Sequence, residues 1–122
     1  MTNYWVVGAM FAGQKDQLKK FIRRGYWQLG WKDAEQPVFA KRRDSIKPGD
    51  RIAIKKLLGQ GSKNIEIRTL GIVRENDRVE KRIYIDWLVR DLTRIVPIHG
   101  LCASIHGPFT ETDRIIKDIF FV

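Results

Sequence analysis

The chain has 122 residues, a length that suits one folded domain with one hydrophobic core. It carries 23 lysines and arginines against 14 acidic residues, a formal net charge of +9, and its single cysteine excludes an internal disulfide. No apolar run approaches the roughly twenty residues that span a bilayer, and no signal peptide is visible, so we expect a cytoplasmic protein that does not bind a membrane.

The excess positive charge belongs to one half of the chain. Residues 1–63 contain 14 bases and 5 acids, whereas residues 64–122 contain 9 of each. A one-sided excess favours a surface that binds a polyanion over a uniformly cationic protein. Nucleic acid is therefore the partner that the sequence predicts first.

The first part of the chain predicts a strand, a helix and a loop. Residues 4–10 are rich in strand-forming residues and end on small ones. Residues 14–24 place Leu18, Phe21 and Ile22 on one helical face, and Gly25 follows as a C-terminal stop. Residues 26–39 show no regular period, so we expect a structured loop with at most a short strand.

The remainder predicts an antiparallel sheet. A tight turn at residues 47–50 precedes strands at 51–57, 65–73 and 82–89, with a polar turn at 75–77 and a short edge strand at 93–96. Residues 100–109 form an irregular loop, capping-box spacing at 110–113 starts a helix, and a strand at 119–122 closes the chain. The predicted fold is α+β, a strongly bent antiparallel β-barrel with two or three short helices, in a single domain spanning residues 1–122.

The aromatic residues divide into two groups. Trp5 and Trp87 lie within strand patterns, which predicts that they pack in the core. Tyr26, Trp27 and Trp31 instead lie in a glycine-punctuated loop next to cations. Buried anchoring of that loop is one interpretation of these three residues. The other is an aromatic pocket that stacks a nucleobase.

Cations flank this aromatic loop on both sides. Each lysine within residues 15–20 is interpreted as part of a solvated helix face. Later in the chain, lysines and arginines occur as consecutive pairs and triplets, which are denser in charge. We predict that a cationic set contacts the nucleic-acid backbone. The set consists of Arg23, Arg24, Lys32, Lys41, Arg42, Arg43, Lys55 and Lys56.

Catalytic and metal-binding patterns are weak. His99, Cys102 and His106 share one segment, but no fourth cysteine or histidine exists to complete a structural zinc site. Nothing marks a third group that would orient a Cys–His pair, and no paired carboxylates suggest acid–base chemistry. We expect neither a metal nor a cofactor, and no enzyme activity.

Several segments resemble a known family in their order along the chain. NYWVV (residues 3–7), IKPGDRIAI (46–54) and LGIV (70–73) resemble the EVE domain of the PUA-like superfamily, which is related to the YTH domain. FIRRGYW (21–27), GW (30–31), RRD (42–44) and SIHGPF (104–109) are similar to the N-terminal domains of some McrB-type modification-dependent restriction GTPases. The similarity covers nearly the whole chain.

The resemblance implies a PUA-like barrel that flips a modified base into an aromatic pocket. It places nine residues at that pocket: Gly8, Ala9, Met10, Tyr26, Trp27, Trp31, Asp33, Ser104 and His106. The expected function is a DNA-binding module that recognises N6-methyladenine or a 5-substituted cytosine. A fused or separate AAA+ GTPase and a nuclease are its implied partners.

Two alternatives remain at this point. The first is a reader of modified RNA, as YTH relatives are. The second is a small enzyme that acts on a nucleotide or RNA through His106 or Cys102.

Overall fold

The structure, a computed structural model, describes residues 1–121 and has an α+β fold with one main sheet and three short helices. Seven strands form the main sheet and two form a separate hairpin. In chain order the elements are β1 (Tyr4–Gly8), β2 (Met10–Phe11), β3 (Lys15–Asp16), α1 (Leu18–Arg24), β4 (Tyr26–Trp27), α2 (Pro37–Asp44), β5 (Arg51–Leu57), β6 (Asn64–Asp77), β7 (Arg82–Val89), β8 (Arg94–Pro97), β9 (Ile105–Phe109) and α3 (Arg114–Phe120).

The main sheet runs in the order β4-β7-β6-β5-β1-β9, and β8 pairs with the first residues of β6. All neighbours are antiparallel except β1 and β5, which are parallel. The prediction of a wholly antiparallel sheet was therefore wrong for the β1–β5 pair. No pairing between β4 and β9 closes the sheet within residues 1–121, so the predicted closed barrel is not found.

The two faces of the sheet each carry a hydrophobic core, because strand residues alternate between faces. Trp5 and Val7 of β1 pack on one face, with α1 and most of the aromatic residues. Val6, between them, packs on the other face with Ile119 of α3. Trp5 and Trp87 are both buried, which confirms their predicted core positions.

The turn before β5 is fixed by one buried carboxylate. Asp50 accepts hydrogen bonds from the Asn3 and Lys47 backbone N–H groups and from the Trp5 indole N–H, at 3.0–3.1 Å. These bonds tie the turn to the start of β1. They hold β1 and β5 in the register that sets Gly8 beside Lys55.

Five local predictions need correction. Helix α1 starts at Leu18, because the residues before it form the β2–β3 hairpin. Helix α2 was not predicted, and β9 occupies part of the segment expected to be an irregular loop, because β1 offers it an edge to pair with. Residues 119 and 120 belong to α3 rather than to a closing strand, and residue 122 of that predicted strand lies outside the described residues. The polar residues at 75–77 extend β6 instead of forming a turn.

Candidate functional site

A cavity of about 590 Å³ lies at the end of β1, between the β2–β3 hairpin and two later loops. This volume falls within the range of about 300–1,000 Å³ that is usual for small-ligand sites. Its walls come from residues 8–13, 55–64 and 98–104, together with Trp31. The cavity thus depends on segments far apart in sequence, which the parallel β1–β5 pairing brings together.

Trp31 forms one wall of the cavity and is 44% exposed. Its indole N–H donates to Ser104 Oγ at 2.9 Å, which anchors the edge of the ring to the loop before β9. The indole is thus exposed in the cavity wall and held at one edge. Exposed aromatic rings held in this way are the groups on which nucleobases stack.

Gly30 lets the Trp31 loop lie against the β2–β3 hairpin. A Cβ at Gly30 would stand 2.6 Å from Cδ1 of Phe11, so only glycine fits against that ring. Phe11 in turn packs edge-on against Phe21 of α1. The position of Trp31 is therefore set by packing on one side and by the Ser104 hydrogen bond on the other.

Lys55 lies deep in the cavity. It is 5% exposed and forms no ion pair within residues 1–121. No buried side-chain nitrogen of the described chain lacks a hydrogen-bond partner, so the Nζ atom, which has none, opens into the cavity. The Nζ atom is 3.8 Å from the position that a Cβ on Gly8 would take. Burial lowers the pKa of Lys55 from 10.5 to about 8, an effect that the nearby Cys102 partly offsets.

The mouth of the cavity is apolar. Met10, Leu57 and Leu58 line it and are each more than two-fifths exposed, as Trp31 is. Exposed apolar groups gathered around a concavity mark a binding site more often than scattered ones do. The combination is an apolar entrance and, in the cavity wall, a largely buried lysine whose ammonium group opens into the cavity.

Two of the predicted aromatic residues are not at this wall. Trp27 is 0% exposed and Tyr26 is also buried, because both belong to β4, whose pairing with β7 turns them into the core. The prediction that they stack a base is therefore corrected. Trp27 still supports the site, since its indole N–H donates to the Gly8 carbonyl oxygen at 2.8 Å.

Asp33 and Arg43 bond to each other rather than facing a ligand. The Arg43 guanidinium makes two hydrogen bonds to the Asp33 carboxylate, at 2.8 and 3.0 Å, and a further one to Asp44. These contacts with Arg43 lower the pKa of Asp33 to about 2. Asp33 is thus not part of the pocket, and Arg43, which is buried, does not contact a nucleic-acid backbone as predicted.

His106 lies behind the cavity wall instead of in it. Its Nε2 accepts a hydrogen bond from the Ala103 backbone N–H at 2.8 Å, which holds the loop that carries Ser104. Burial, with further contributions from Lys55 and Arg42, lowers the pKa of His106 to about 4. The ring is therefore neutral at physiological pH, and its Nε2 lone pair is not free to act as a base.

The predicted backbone-contacting cations fall into three groups. Arg23, Arg24, Lys32 and Lys41 are exposed, and none of them forms an ion pair within the part of the chain that the structure describes. Lys56 lines the cavity, while Arg42 is half-buried and donates to the Ile105 carbonyl at 2.9 Å. Lys55 is buried, so its predicted role in gripping the backbone from the surface is corrected.

Within the described residues, no acid of residues 1–63 forms an ion pair with an exposed cation of the same half. Asp33 and Asp44 bond to Arg43, and Asp50 is buried in its turn. Asp16 accepts from the Leu18 N–H, and Glu35 accepts from the Lys32 N–H. The exposed lysines and arginines of residues 1–63 therefore keep most of their charge available to an outside anion.

Sequence reasoning placed Gly8, Ala9, Met10, Trp31 and Ser104 at the site, and all five line the cavity. It missed the loop after β5 and the residues around Ile98 and Cys102. Gly59 and Gly61 in that loop are typical of a flexible connection between strands and do not indicate a site. The pair Leu57 and Leu58, directly after two lysines and before these glycines, is the sequence feature that could have indicated one.

No cluster of three or more histidine, cysteine or acidic side chains able to hold a metal ion occurs within residues 1–121. His99 bonds to Asp118 at 3.2 Å, and His106 is engaged by Ala103, so the two histidines serve separate contacts. None of the helices in the described chain is long and apolar enough to cross a membrane.

Comparison with protein-family models gives no match for this chain, and comparison with curated proteins gives none either.

Proposed function

We propose that this protein is a DNA-binding recognition module of the EVE/PUA-like kind, which takes one extruded, methylated base into the cavity and stacks it on Trp31. The observation that carries the proposal is the exposed indole of Trp31, fixed at its edge by Ser104, in the wall of a cavity of about 590 Å³. The unpaired surface cations supply the affinity for the phosphate backbone.

The energetics are consistent with this role. Extruding a base costs a few kcal/mol, and stacking it on an aromatic ring returns roughly 1–3 kcal/mol. Contacts between cations and phosphates supply the remainder, because each releases counterions from the nucleic acid. The apolar residues at the mouth, Met10 and Leu57 among them, would be desolvated by the bound nucleotide.

A binding titration tests the proposal. Fluorescence anisotropy would measure Kd for matched duplexes that differ only in one target position, which is a plain base, its methylated form or an abasic site. Wild-type protein should bind the methylated duplex most tightly. Equal affinity for all three duplexes would refute base recognition.

Trp31→Ala is the variant that addresses the stacking platform. It should weaken binding to the methylated duplex roughly 10-fold, the loss that removing one base–aromatic stack produces. Leu88→Ala is the matched control, because Leu88 is a large exposed apolar side chain that does not line the cavity. An unchanged Kd for Trp31→Ala would show that the indole does not hold the base.

The same titration with RNA of identical sequence tests the first alternative. Tighter binding to the methylated RNA would make this a reader of modified RNA. The enzyme alternative loses His106, whose Nε2 is already occupied by the Ala103 N–H, and would depend on Cys102, which lines the cavity. In the proposed module, a partner protein such as an AAA+ GTPase with a nuclease would act on what the module finds.

A further inference from the structure

Stacking on Trp31 leaves the amine of Lys55 without a role. Lys55 is 5% exposed, and its Nζ opens into the cavity without an acceptor among residues 1–121. A largely desolvated ammonium group keeps little of its hydration and gains from an acceptor in its place. A cation of this kind in a cavity wall indicates that a ligand supplies the acceptor.

We infer that Lys55 reads an exocyclic oxygen of the bound base, so that the cavity selects an oxygen-bearing base over adenine or N6-methyladenine. This inference rests on the proposed function, since it assigns specificity within the same cavity. It names Lys55 as the specificity-determining residue and Trp31 as the stacking residue, which does not discriminate among bases.

The depth of Lys55 supports a contact with the base rather than with a phosphate. Trp31, Met10 and Leu57 surround the mouth and are substantially exposed, whereas Lys55 is buried behind them, beside Gly8. A nucleotide that enters base-first would bring an edge of the base to this depth. Its phosphates would remain at the rim, near Lys56 and Lys32.

The chemistry of the lining points to the same kind of ligand. Lys55 and Lys56 are the only charged residues among those that line the cavity, and no carboxylate is present there to accept from an amino group. Ser104 Oγ already accepts from Trp31, so its own hydroxyl proton is free to donate into the cavity. The charged groups of the cavity are therefore donors only, and its side-chain acceptors are neutral, among them the amide oxygens of Gln60 and Asn64.

The bases differ in what they present to such a donor. Guanine offers O6 beside N7, the pair that lysine and arginine commonly bind. Cytosine and its 5-substituted forms offer O2 beside N3. Adenine has ring acceptors such as N7 but no exocyclic oxygen beside them. Its 6-amino group is a donor, also after N6-methylation, and cannot accept from Lys55. Of the two modified bases that the sequence suggested, 5-substituted cytosine meets this requirement.

The test compares target bases whose extrusion is made equally easy. Each duplex would carry its target opposite an abasic site, which removes most differences in pairing energy. The targets are 5-methylcytosine, N6-methyladenine, guanine and 2-aminopurine, and the last two differ chiefly in the 6-oxygen. The proteins are wild type, Lys55→Met, Lys55→Gln and, as a matched control from the same cavity, Lys56→Met.

Wild type should bind 5-methylcytosine over N6-methyladenine, and guanine over 2-aminopurine, by roughly 10-fold in Kd. Lys55→Met should bring these ratios close to one, and Lys55→Gln, which keeps a neutral donor, should retain part of them. Lys56→Met should weaken all targets alike and leave the ratios unchanged.

Three results would overturn the inference. The first is a wild-type preference for N6-methyladenine. The second is that the Kd ratios between the target bases are the same in Lys55→Met as in wild type, while Trp31→Ala still weakens binding. This result would leave the proposed function intact. The third is a uniform loss of affinity in Lys55→Met, because that would assign Lys55 to a phosphate. Failure of the proposed function would look different, with every target bound as tightly as an abasic one.

Discussion

Replacing Lys55 by methionine should make the protein more stable at neutral pH. The wild-type side chain is buried and charged, and it lacks a partner within residues 1–121. Methionine has a similar length and no charge, so it fills the same space without the desolvation penalty. A binding group kept at the expense of stability is a common feature of functional sites.

The magnitude follows from the pKa of Lys55. Burial lowers this pKa from 10.5 to about 8, and each pKa unit corresponds to about 1.4 kcal/mol. The charged side chain therefore destabilises the folded state by about 3 kcal/mol. Below pH 8 this penalty is fully present. Between pH 8 and 10.5 the folded protein has released the proton that the unfolded chain still binds, so the penalty declines, and above 10.5 it is gone.

Urea unfolding at a series of pH values measures this directly. The free energy of unfolding of Lys55→Met should exceed that of wild type by about 3 kcal/mol at pH 7, and the difference should shrink as the pH rises past 8. Both proteins would carry Cys102→Ser, because Cys102 interacts with Lys55. Lys56→Met, a change at a partly exposed lysine, is the control and should shift stability by no more than about 0.5 kcal/mol. A Lys55→Met variant that is no more stable than wild type would refute the reasoning.

Three further predictions concern the support of the site and its surface charge. Gly30→Ala should reduce the affinity for the methylated duplex while the chain still folds, because the new Cβ would lie 2.6 Å from the Phe11 ring and must displace the Trp31 loop; unchanged affinity would contradict this. Stability should fall as the pH drops from 6.5 towards 4, because in this range His106 binds a proton in the unfolded chain but stays neutral in the folded protein. In thermal unfolding at a series of pH values, His106→Gln should not show this loss of stability below pH 6.5. A variant with the same pH dependence as wild type would refute the assignment to His106. If six or so cations contact phosphates, the affinity for DNA should fall about 1,000-fold between about 50 and 200 mM salt. Arg23→Ala should lower the slope of log Kd against log salt concentration by about one. Arg114→Ala, which removes an exposed arginine from the neutral half of the chain, should leave this slope unchanged.

The sequence determined the regular parts of this fold. The strands at residues 51–57 and 82–89 have the predicted bounds. In the second strand, buried and more exposed residues alternate with period two, whereas the middle of the first strand is buried on both faces. The turn at residues 47–50 and the end of α1 at Gly25, whose φ is 74°, also follow from local chemistry. The hydrogen bonds that Asp50 accepts from Asn3 and Trp5 then tie that turn to β1.

Helix α2 shows where local reasoning ends. Its residues have no apolar face with a helical period: Ala40 is buried and Phe39 is partly buried against the core. The helix is further held by the buried guanidinium of Arg43, bonded to Asp33 ten residues earlier. A contact of this kind is not visible in a hydrophobic pattern.

Only the tertiary structure decided which tryptophan faces solvent and where the site lies. Trp27 and Trp31 share one glycine-containing loop sequence, but the pairing of β4 with β7 buries the first and leaves the second at the cavity. In the same way, the parallel pairing of β1 and β5 takes Lys55 out of a run of surface cations and buries it beside Gly8. Burial of a side chain is set by what packs over it, and here the covering segments lie tens of residues away in the chain.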